Sequence, residues 1–364
     1  MAYTNIDDPS AHFHIQLYTG TGANQVITND ANAGNFQPDF VGIKNRGNGS
    51  YGTVWFDSSR GVYKTLYSDQ NYGSDAEYVD SGQSSIQSFN TNGFTGGSST
   101  NAFLTNWTNS SGESYVAWQW KANAGSTSSN TDGTITSTVQ VNVTAGFSIA
   151  TYTGNGIDNR TIGHGLGVQP SWWIVKRKDS TGDWWFGASS ILGGTSNYLK
   201  LNSTAANAEI NNIWGDSPTS STTFRVSNNA GLNASGGTYV AYLFANKQGF
   251  SKFGKYTGNG NANGTFVYTG FKPAFIMIKR IDSISNWTIW DSKRDPFNYG
   301  ERTLFPNLTN AEESGNVNEQ WDLLSNGFKF RSNGRNTASG GTYIYMAFAE
   351  NPFVTSTGIP TTAR

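Results

Sequence analysis

The chain of 364 residues contains no cysteine, only three histidines and few charged side chains. The absence of cysteine excludes disulfide bonds and thiolate metal sites. Charged residues make up 13% of the sequence and leave a net charge of −1. A protein that binds nucleic acid through its phosphates needs a basic surface, so we expect no nucleic-acid partner.

Long apolar runs are also missing. No stretch approaches 18 consecutive apolar residues, the length that predicts a membrane-spanning helix. The first 15 residues include Asp7, Asp8 and His12, where a secretory leader would have a basic start and an apolar middle. We therefore expect neither membrane insertion nor export through a leader.

The chain is instead rich in aromatic residues and glycine. Aromatic side chains make up 14% of the sequence and glycine occurs 43 times, with asparagine, serine and threonine between short apolar runs. Aromatic and β-branched residues suit pleated surfaces, and glycine and asparagine suit turns. The composition predicts an all-β fold.

The same pattern of motifs occurs three times along the chain. Each copy starts with Tyr-Thr-Gly-X-Gly, at residues 18–22, 152–156 and 256–260. Each copy closes with an aromatic strand that begins at Tyr115, Tyr239 or Tyr343. The opening and closing tyrosines are 97, 87 and 87 residues apart, so the sequence predicts a tandem array of three units.

A unit of this size is expected to be a domain with its own core, because solenoid and propeller repeats have periods of only about 20 to 50 residues. The predicted division is an N-terminal arm (1–10), a first β-sandwich (11–122), a linker with a strand (123–146), a second β-sandwich (147–248), a third β-sandwich (249–352) and a C-terminal arm (353–364).

Several strands can be placed within each copy. An apolar run that ends in lysine follows Pro38, Pro170 and Pro273, and it predicts a strand buried on both faces. A polar turn and a tryptophan-rich stretch come next, which is typical of a hairpin. Residues 223–227 and 328–331 alternate with a period of two and lead through a glycine-rich loop into the closing strand.

Short strands separated by turn signals favour a β-sandwich, of jelly-roll type in our interpretation. An immunoglobulin-like strand order remains open at this point, because a single sequence does not distinguish the two orders.

The histidines offer little chemistry. His164 lies in a Gly-His-Gly-Leu-Gly loop, but the third copy has no histidine at the corresponding place, which favours a turn or interface role. His12 and His14 could share a metal ion, yet the sequence shows no third and fourth ligand for zinc. We predict no metal site.

Carboxylates do not form a repeated catalytic pair. Asp57 and Asp291 follow the tryptophan-rich strand in the first and third copies, and sequence spacing places Gly187 there in the second. We expect the two aspartates to bind backbone groups in a turn. The sequence thus predicts no catalytic residue, no cofactor-binding residue and no enzyme activity.

Six tryptophans are the residues predicted to make contacts. Neighbouring residues in a strand point to opposite faces, so one of each adjacent pair is expected in the core and the other against a neighbour, solvent or a glycan. Packing or subunit contact and glycan binding both remain open for Trp172, Trp173, Trp184, Trp185, Trp287 and Trp290.

Several of these motifs together resemble a known repeat. They are Tyr-Thr-Gly-Asn-Gly at 152–156, the loop at 163–167, Pro170 with the strand at 174–176, Phe-Asp-Ser-Ser-Arg-Gly at 56–61, Tyr-Val-Ala-Trp-Gln-Trp-Lys at 115–121 and the connector at 129–138. The pattern is similar to a repeat of structural and tail-fibre proteins of tailed bacteriophages, marine cyanophages in particular. The resemblance covers nearly the whole chain and implies a virion protein without an assigned active site.

We therefore expect a non-enzymatic virion component, displayed as a head decoration or a short tail appendage and assembled in the host cytoplasm. Its expected partners are other capsid or tail proteins, and a homo-oligomer is expected because particles are symmetric. The alternative is a glycan-binding adhesin that contacts the host cell surface. A polysaccharide-degrading enzyme has the least support.

Overall fold

The computed structural model describes residues 2–30, 34–70, 78–79, 85–97 and 107–362. Residue 1 of the predicted N-terminal arm and residues 363–364 of the C-terminal arm lie outside this range. Antiparallel strands dominate, as the composition predicts, so the all-β prediction is confirmed. No helix among the described residues is long and apolar enough to cross a membrane.

The described residues of the first copy form nine strands: β1 (Phe13–Thr19), β2 (Gln25–Thr28), β3 (Phe40–Asn45), β4 (Thr53–Asp57), β5 (Lys64–Tyr67), β6 (Tyr78–Val79), β7 (Ile86–Asn90), β8 (Gly93–Gly96) and β9 (Ser114–Trp120). A short 3-10 helix at Pro9–Ala11 precedes them.

The linker contributes β10 (Ser128–Asn130) and β11 (Ser137–Asn142). The second copy then contains β12 (Phe147–Thr153), β13 (Arg160–Gly163), β14 (Trp172–Arg177), β15 (Trp184–Gly187), helix α1 (Ser189–Leu192), β16 (Asn197–Lys200), β17 (Ala208–Glu209), β18 (Thr223–Val226), helix α2 (Ala230–Asn233) and β19 (Thr238–Phe244).

The third copy contains β20 (Ser251–Thr257), β21 (Phe266–Tyr268), β22 (Phe271–Arg280), β23 (Trp287–Asp291), β24 (Trp321–Leu324), β25 (Gly327–Phe330) and β26 (Thr342–Pro352). The hairpins predicted after each proline are present as β3–β4, β14–β15 and β22–β23. Strand β3 is buried along its whole length, and β14 and β22 are buried except at their last residue.

Each copy has one larger and one smaller sheet. The larger sheets run β1-β9-β3-β4-β5-β6, β10-β11-β12-β19-β14-β15-β16-β17 and β20-β26-β22-β23. The smaller sheets run β2-β8-β7, β13-β18 and β21-β25-β24. In every copy the closing strand lies between the opening strand and the strand after the proline. The linker strand β11 joins the sheet of the second copy beside β12.

A buried apolar cluster lies between the two sheets of each copy. In the second copy it combines Ile162 and Phe224 of the smaller sheet with Val175 and Tyr239 of the larger. The clusters of the first and third copies likewise combine residues of both sheets. Each copy is therefore sandwich-like.

The Tyr-Thr-Gly-X-Gly motif holds the loop that precedes the closing strand. In the third copy the Gly258 amide donates to the Gly341 carbonyl at 2.8 Å, and the Gly340 amide donates to the Gly258 carbonyl at 2.9 Å. The opening and closing tyrosines, Tyr256 and Tyr343, stack with their centroids 5.0 Å apart. The same bonds and stack recur in the other two copies, which explains why the motif is repeated.

Replacing Gly258 by alanine is expected to destabilise the fold by about 1–3 kcal/mol. A Cβ atom at this position would lie far inside van der Waals contact of the Ala338 carbonyl oxygen, which is backbone and cannot move aside. The free energy of unfolding from urea titration measures the effect. Gly182→Ala is the matched control, because a Cβ there meets its nearest neighbour at an ordinary 3.5 Å. Equal losses in both variants would contradict the steric explanation.

The outer faces of the three larger sheets pack against one another. They form a fourth and larger apolar cluster that contains residues from all three copies. At its centre lie Trp120, Phe244 and Phe348, which occupy the same register position on the three closing strands. Their ring centroids are 6.3, 6.0 and 5.6 Å apart in the three pairs. The three copies are thus arranged around an approximate threefold axis.

The N-terminal arm contacts the third copy and the last residue of the second. The Tyr3 hydroxyl donates to the Gly270 carbonyl at 2.6 Å, and the Thr4 hydroxyl donates to the Gln248 carbonyl at 2.8 Å. Ile6 is buried in the central cluster. The C-terminal arm returns to the N-terminal one, since the Ser356 amide donates to the Asp7 carboxylate at 2.6 Å.

Candidate functional site

A buried polar group joins the first copy to the second. The Asp57 carboxylate accepts from the Arg60 backbone amide at 2.8 Å, from the Arg60 side chain at 2.5 Å and from the Tyr242 hydroxyl at 2.6 Å. The side chains of Asp57 and Arg60 are fully buried. The turn role predicted for Asp57 is confirmed, and its second oxygen forms a bond between copies that the sequence did not predict.

The same group joins the third copy to the first. Asp291 accepts from the Arg294 backbone amide at 2.9 Å, from the Arg294 side chain at 2.6 Å and from the Trp118 indole at 3.1 Å. Trp118 and Tyr242 occupy one register position on their closing strands. Because a buried charge is stable only when it is paired, each aspartate and its arginine depend on one another.

At the equivalent positions, the junction between the second and third copies is apolar. Phe40 and Phe275 pair with Asp57 and Asp291, and the register of β14 with β15 places Ala188 at the equivalent position. The sequence-based assignment of Gly187 to this place was wrong by one residue. Ala188 lies in the central cluster with Ile191 packed against it, where the other copies have aspartate and arginine.

Where the aspartate and arginine are absent, the residue that would donate to the aspartate is also different. Met346 occupies the register position of Trp118 and Tyr242, and its side chain has no hydrogen-bond donor. Two junctions are therefore polar with all three partners present, and the third is apolar at all three positions. In each case the aspartate is bonded and buried, which leaves no carboxylate of this set available to a substrate.

All six tryptophans proposed for contacts are buried. Their exposed fractions range from 0 to 6%. The adjacent pairs do point to opposite faces: Trp172 and Trp184 lie in the central cluster, whereas Trp173 and Trp185 lie in the cluster of the second copy. Of the other two, Trp287 lies in the central cluster and Trp290 in the cluster of the third copy. Trp172, Trp184 and Trp287 contact other repeat copies within the chain, and none of the six presents a face on which a sugar could stack.

The lysine that ends each buried strand is itself buried. The Lys44 ammonium donates to the carbonyls of Leu308 and Thr309 in the third copy, at 3.0 and 2.8 Å. Lys279 donates in the same way to Thr204 of the second copy, at 3.1 Å. Burial lowers the pKa of Lys44 to about 7 and that of Lys279 to about 8. Lys44 and Lys279 thus stabilise contacts between copies. The bond that all three lysines share is to a carbonyl in the turn of their own hairpin, that of Tyr51, Gly182 or Ser285.

His164 has a structural role in its loop. The ring is fully buried, its Nδ1 accepts from the Leu166 amide at 3.1 Å, and its Nε2 lies 3.3 Å from the Ser220 carbonyl. Burial lowers the pKa of His164 to about 4. A neutral ring with both nitrogens bonded is neither a base nor a ligand, in agreement with the predicted turn role.

Replacing His164 by asparagine is expected to reduce the acid sensitivity of the fold. The native pKa of about 4 lies below the unfolded value of 6.5, so the unfolded chain binds the extra proton between these limits. Stability is therefore lost as pH falls from 6.5 to 4, by up to about 3 kcal/mol from this group. Asparagine stands at the equivalent position in the first copy, as Asn29. Urea titrations across this pH range should show a shallower loss in the variant, and parallel curves would contradict the assignment.

A cleft with a volume of about 420 Å³ lies between the first and third copies. One wall is the edge strand β1, with Phe13, His14 and Ile15, and the opposite wall is the third copy, with Ser292 and Lys293. Three carboxylates and one ammonium group are among its lining groups. The remaining lining residues are Asp8, Ser10, Asp30, Ala274, Pro296, Ala349, Glu350 and Asn351.

Asp30 is the electrostatic centre of this cleft. Its carboxylate lies 2.7 Å from the Lys293 ammonium and 2.7 Å from Nε2 of His14. Burial raises the pKa of Asp30, but Lys293 and His14 lower it by more, so that Asp30 is ionised at neutral pH. Burial lowers the pKa of His14 despite the nearby carboxylate. Lys293 is therefore the cation that faces Asp30 at pH 7.

The side chains of the cleft suit an organic ligand better than a metal ion. Among the described residues no group of three histidines, cysteines or carboxylates is placed to hold a metal ion. His12 does not join His14, because its Nδ1 is bonded to the Asn142 side chain at 3.1 Å. Apolar side chains next to fixed charges suit a ligand that has both apolar and charged parts.

Sequence reasoning missed this cleft. His14 was considered only as half of a metal site, and neither Asp30 nor Lys293 was singled out. The two residues are 263 positions apart and belong to different copies. No local pattern indicates that they meet, since their contact depends on how the copies pack.

A family model described as Domain of unknown function (DUF7483) matches residues 8–352, a range that spans all three copies. The search of curated proteins gave no match, and neither did the search of solved structures.

Proposed function

We propose that this chain, which belongs to the DUF7483 family, is a non-enzymatic structural component of a tailed-phage virion. In this proposal the chain is exposed on the particle as a head decoration or a short tail appendage, and its three copies are rigid, jelly-roll-like sandwich modules. The main support is the approximate threefold arrangement around one apolar cluster. Such a body offers three similar faces to three equivalent partner subunits of a capsid or tail.

The burial of the repeated polar residues supports a role without catalysis. Asp57 and Asp291 are enclosed and paired with arginine, and the repeated lysines donate to backbone carbonyls. Catalytic groups must reach a substrate. The side chains that the copies share stabilise the fold instead.

Mass spectrometry of purified virions tests the proposal. Particles of a phage that encodes this chain should contain it in many copies, at a constant ratio to the major capsid or tail protein. Virions that lack the chain, although infected cells produce it, would overturn the proposal. Incubation of the purified protein with host polysaccharide, followed by a reducing-end assay, should show no new ends.

The alternative role as a glycan-binding adhesin would require aromatic residues other than the six tryptophans. Phe266 and Tyr268 on β21 are 44% and 54% exposed. The equivalent positions of the other copies carry Val26 and Thr28 in the first and Thr161 and Gly163 in the second. An exposed pair of rings on one strand is a surface on which sugars can stack.

A glycan array with the purified protein separates the two roles. An adhesin should bind defined host glycans and lose at least about tenfold in affinity in Tyr268→Ala. Val26→Ala, at an exposed site on the equivalent strand of the first copy, is the control and should bind normally. Absence of glycan binding, together with presence in virions, would leave the structural role.

A further inference from the structure

A strand of the chain already fills one of the junctions between copies. Linker strand β11 pairs with β12, the edge strand of the second copy, with Gln140 opposite Ile149. A side chain of β11 contacts the first copy, since the Gln140 side-chain amide donates to the Ser58 and Ser59 hydroxyls at 3.0 and 2.9 Å. This junction is closed by the inserted strand.

The cleft between the first and third copies is the equivalent place. Phe13 and Ile15 on β1 correspond in register to Phe147 and Ile149 on β12. Ser292 and Lys293 follow Asp291 as Ser58 and Ser59 follow Asp57, and they line the opposite wall. Among the described residues, β1 pairs with β9 alone, so no described strand takes the place that β11 has in the second copy.

The backbone of β1 is oriented to accept a strand. The His12 carbonyl accepts from the Lys121 amide, so even-numbered residues of β1 bond β9. Because backbone groups alternate along an antiparallel strand, those of Phe13 and Ile15 point into the cleft. Backbone groups of an edge strand that have no partner strand among the described residues are the template for addition of an extended peptide.

The charge of the cleft indicates which segment it accepts. In the second copy Val141 of the inserted strand packs against Gly165. Asp30 stands at the position of Gly165, because β2 and β13 end at corresponding residues. A residue at the place of Val141 would therefore face a carboxylate. Asp8 also lines the cleft, whereas Glu350 is paired with Lys272 at 3.1 Å.

We propose that this cleft binds an extended segment of another protein, which adds to the sheet of the first copy beside β1 and directs a basic side chain to Asp30. The basic group replaces Lys293 as the partner of Asp30. The segment occupies the place that β11 occupies in the second copy. This site does not depend on whether the chain belongs to a virion.

A labelled peptide with the sequence of residues 136–143 and the change Val141→Lys is the probe. Fluorescence polarisation with the full-length protein should show saturable binding, at least about tenfold tighter than that of the Val141→Glu peptide. The protein variant Asp30→Lys should reverse this order. Asp30 is about half exposed, so the variant is expected to fold, and circular dichroism tests this. Because Asp30 lines the cleft beside β1, a reversal of the two affinities would also show that the peptide binds there and not at the edge where β11 lies.

N-methylation of the peptide tests strand addition. Methylation at Gln140, whose amide faces the edge strand, should abolish binding, whereas methylation at Val139, whose amide faces away, should change affinity less than about threefold. Three results would overturn the proposal: no saturable binding of the lysine peptide at millimolar concentration, equal affinity of the lysine and glutamate peptides, or equal effects of the two methylations. Self-association of the protein that the lysine peptide blocks, measured by sedimentation, would assign the site to a second molecule of this chain instead.

Discussion

Replacing Phe244 by alanine is expected to lower the free energy of unfolding of the whole chain by about 3–5 kcal/mol. Phe244 contacts Trp120 and Phe348 on the approximate threefold axis, so the cavity would open in the cluster that all three copies share. The loss should therefore reach every copy. Chemical denaturation monitored by tryptophan fluorescence gives the free energy, and calorimetry shows whether the copies unfold together.

A matched control is the exposed Val26, which is 63% accessible and lies outside the central cluster. Val26→Ala should change stability by less than about 0.5 kcal/mol. Wild type and Phe244→Ala should each unfold in a single transition, at a lower temperature in the variant. Three separate transitions, with only that of the second copy displaced, would show that the copies are independent domains and that the shared cluster contributes little.

Replacing Asp57 by alanine is expected to cost about 3–5 kcal/mol, because it leaves the fully buried Arg60 guanidinium without its counter-ion. The Tyr242 hydroxyl would lose its acceptor in the same step. Urea titration measures the loss. The control Asp30→Ala removes the same side chain from a half-exposed ion pair and should lower the free energy of unfolding by no more than about 1 kcal/mol.

The triple variant Asp57→Ala, Arg60→Ile and Tyr242→Phe imitates the apolar junction. It introduces the residue types of Ala188 and Ile191, and its phenylalanine lacks a hydrogen-bond donor, as Met346 does. Removing all members of a buried ionic group is less costly than removing one, because no uncompensated charge remains. The triple variant should therefore be more stable than Asp57→Ala by about 2 kcal/mol or more. A triple variant less stable than the single one would show that the polar group contributes net stability.

Much of the fold could be predicted because its signals are local. The alternation at 223–227 and the aromatic closing strands specify strands through neighbouring residues alone. The strand expected in the linker is present as β11, and the hairpins after Pro38, Pro170 and Pro273 formed as expected. The repeat itself indicated which segments should have equivalent structures.

The packing of the copies could not be predicted in the same way. Trp172 and Trp173 have similar sequence surroundings, yet one lies in the central cluster and the other within the second copy. Strand alternation predicts that they point to opposite faces but not what covers either face. Lys44 shows the same difficulty, since a terminal lysine on an apolar strand suggests exposure, whereas its ammonium is enclosed by carbonyls from a segment 264 residues away.

Joining the three copies in one polypeptide has a genetic consequence. If each copy were a separate chain of a homotrimer, one codon change would alter three sites, and a new surface would appear three times. In this chain a mutation alters one site only. The aspartate, arginine and donor could thus be exchanged for apolar residues at one junction and kept at two, and one strand edge could be covered while its counterpart stayed open.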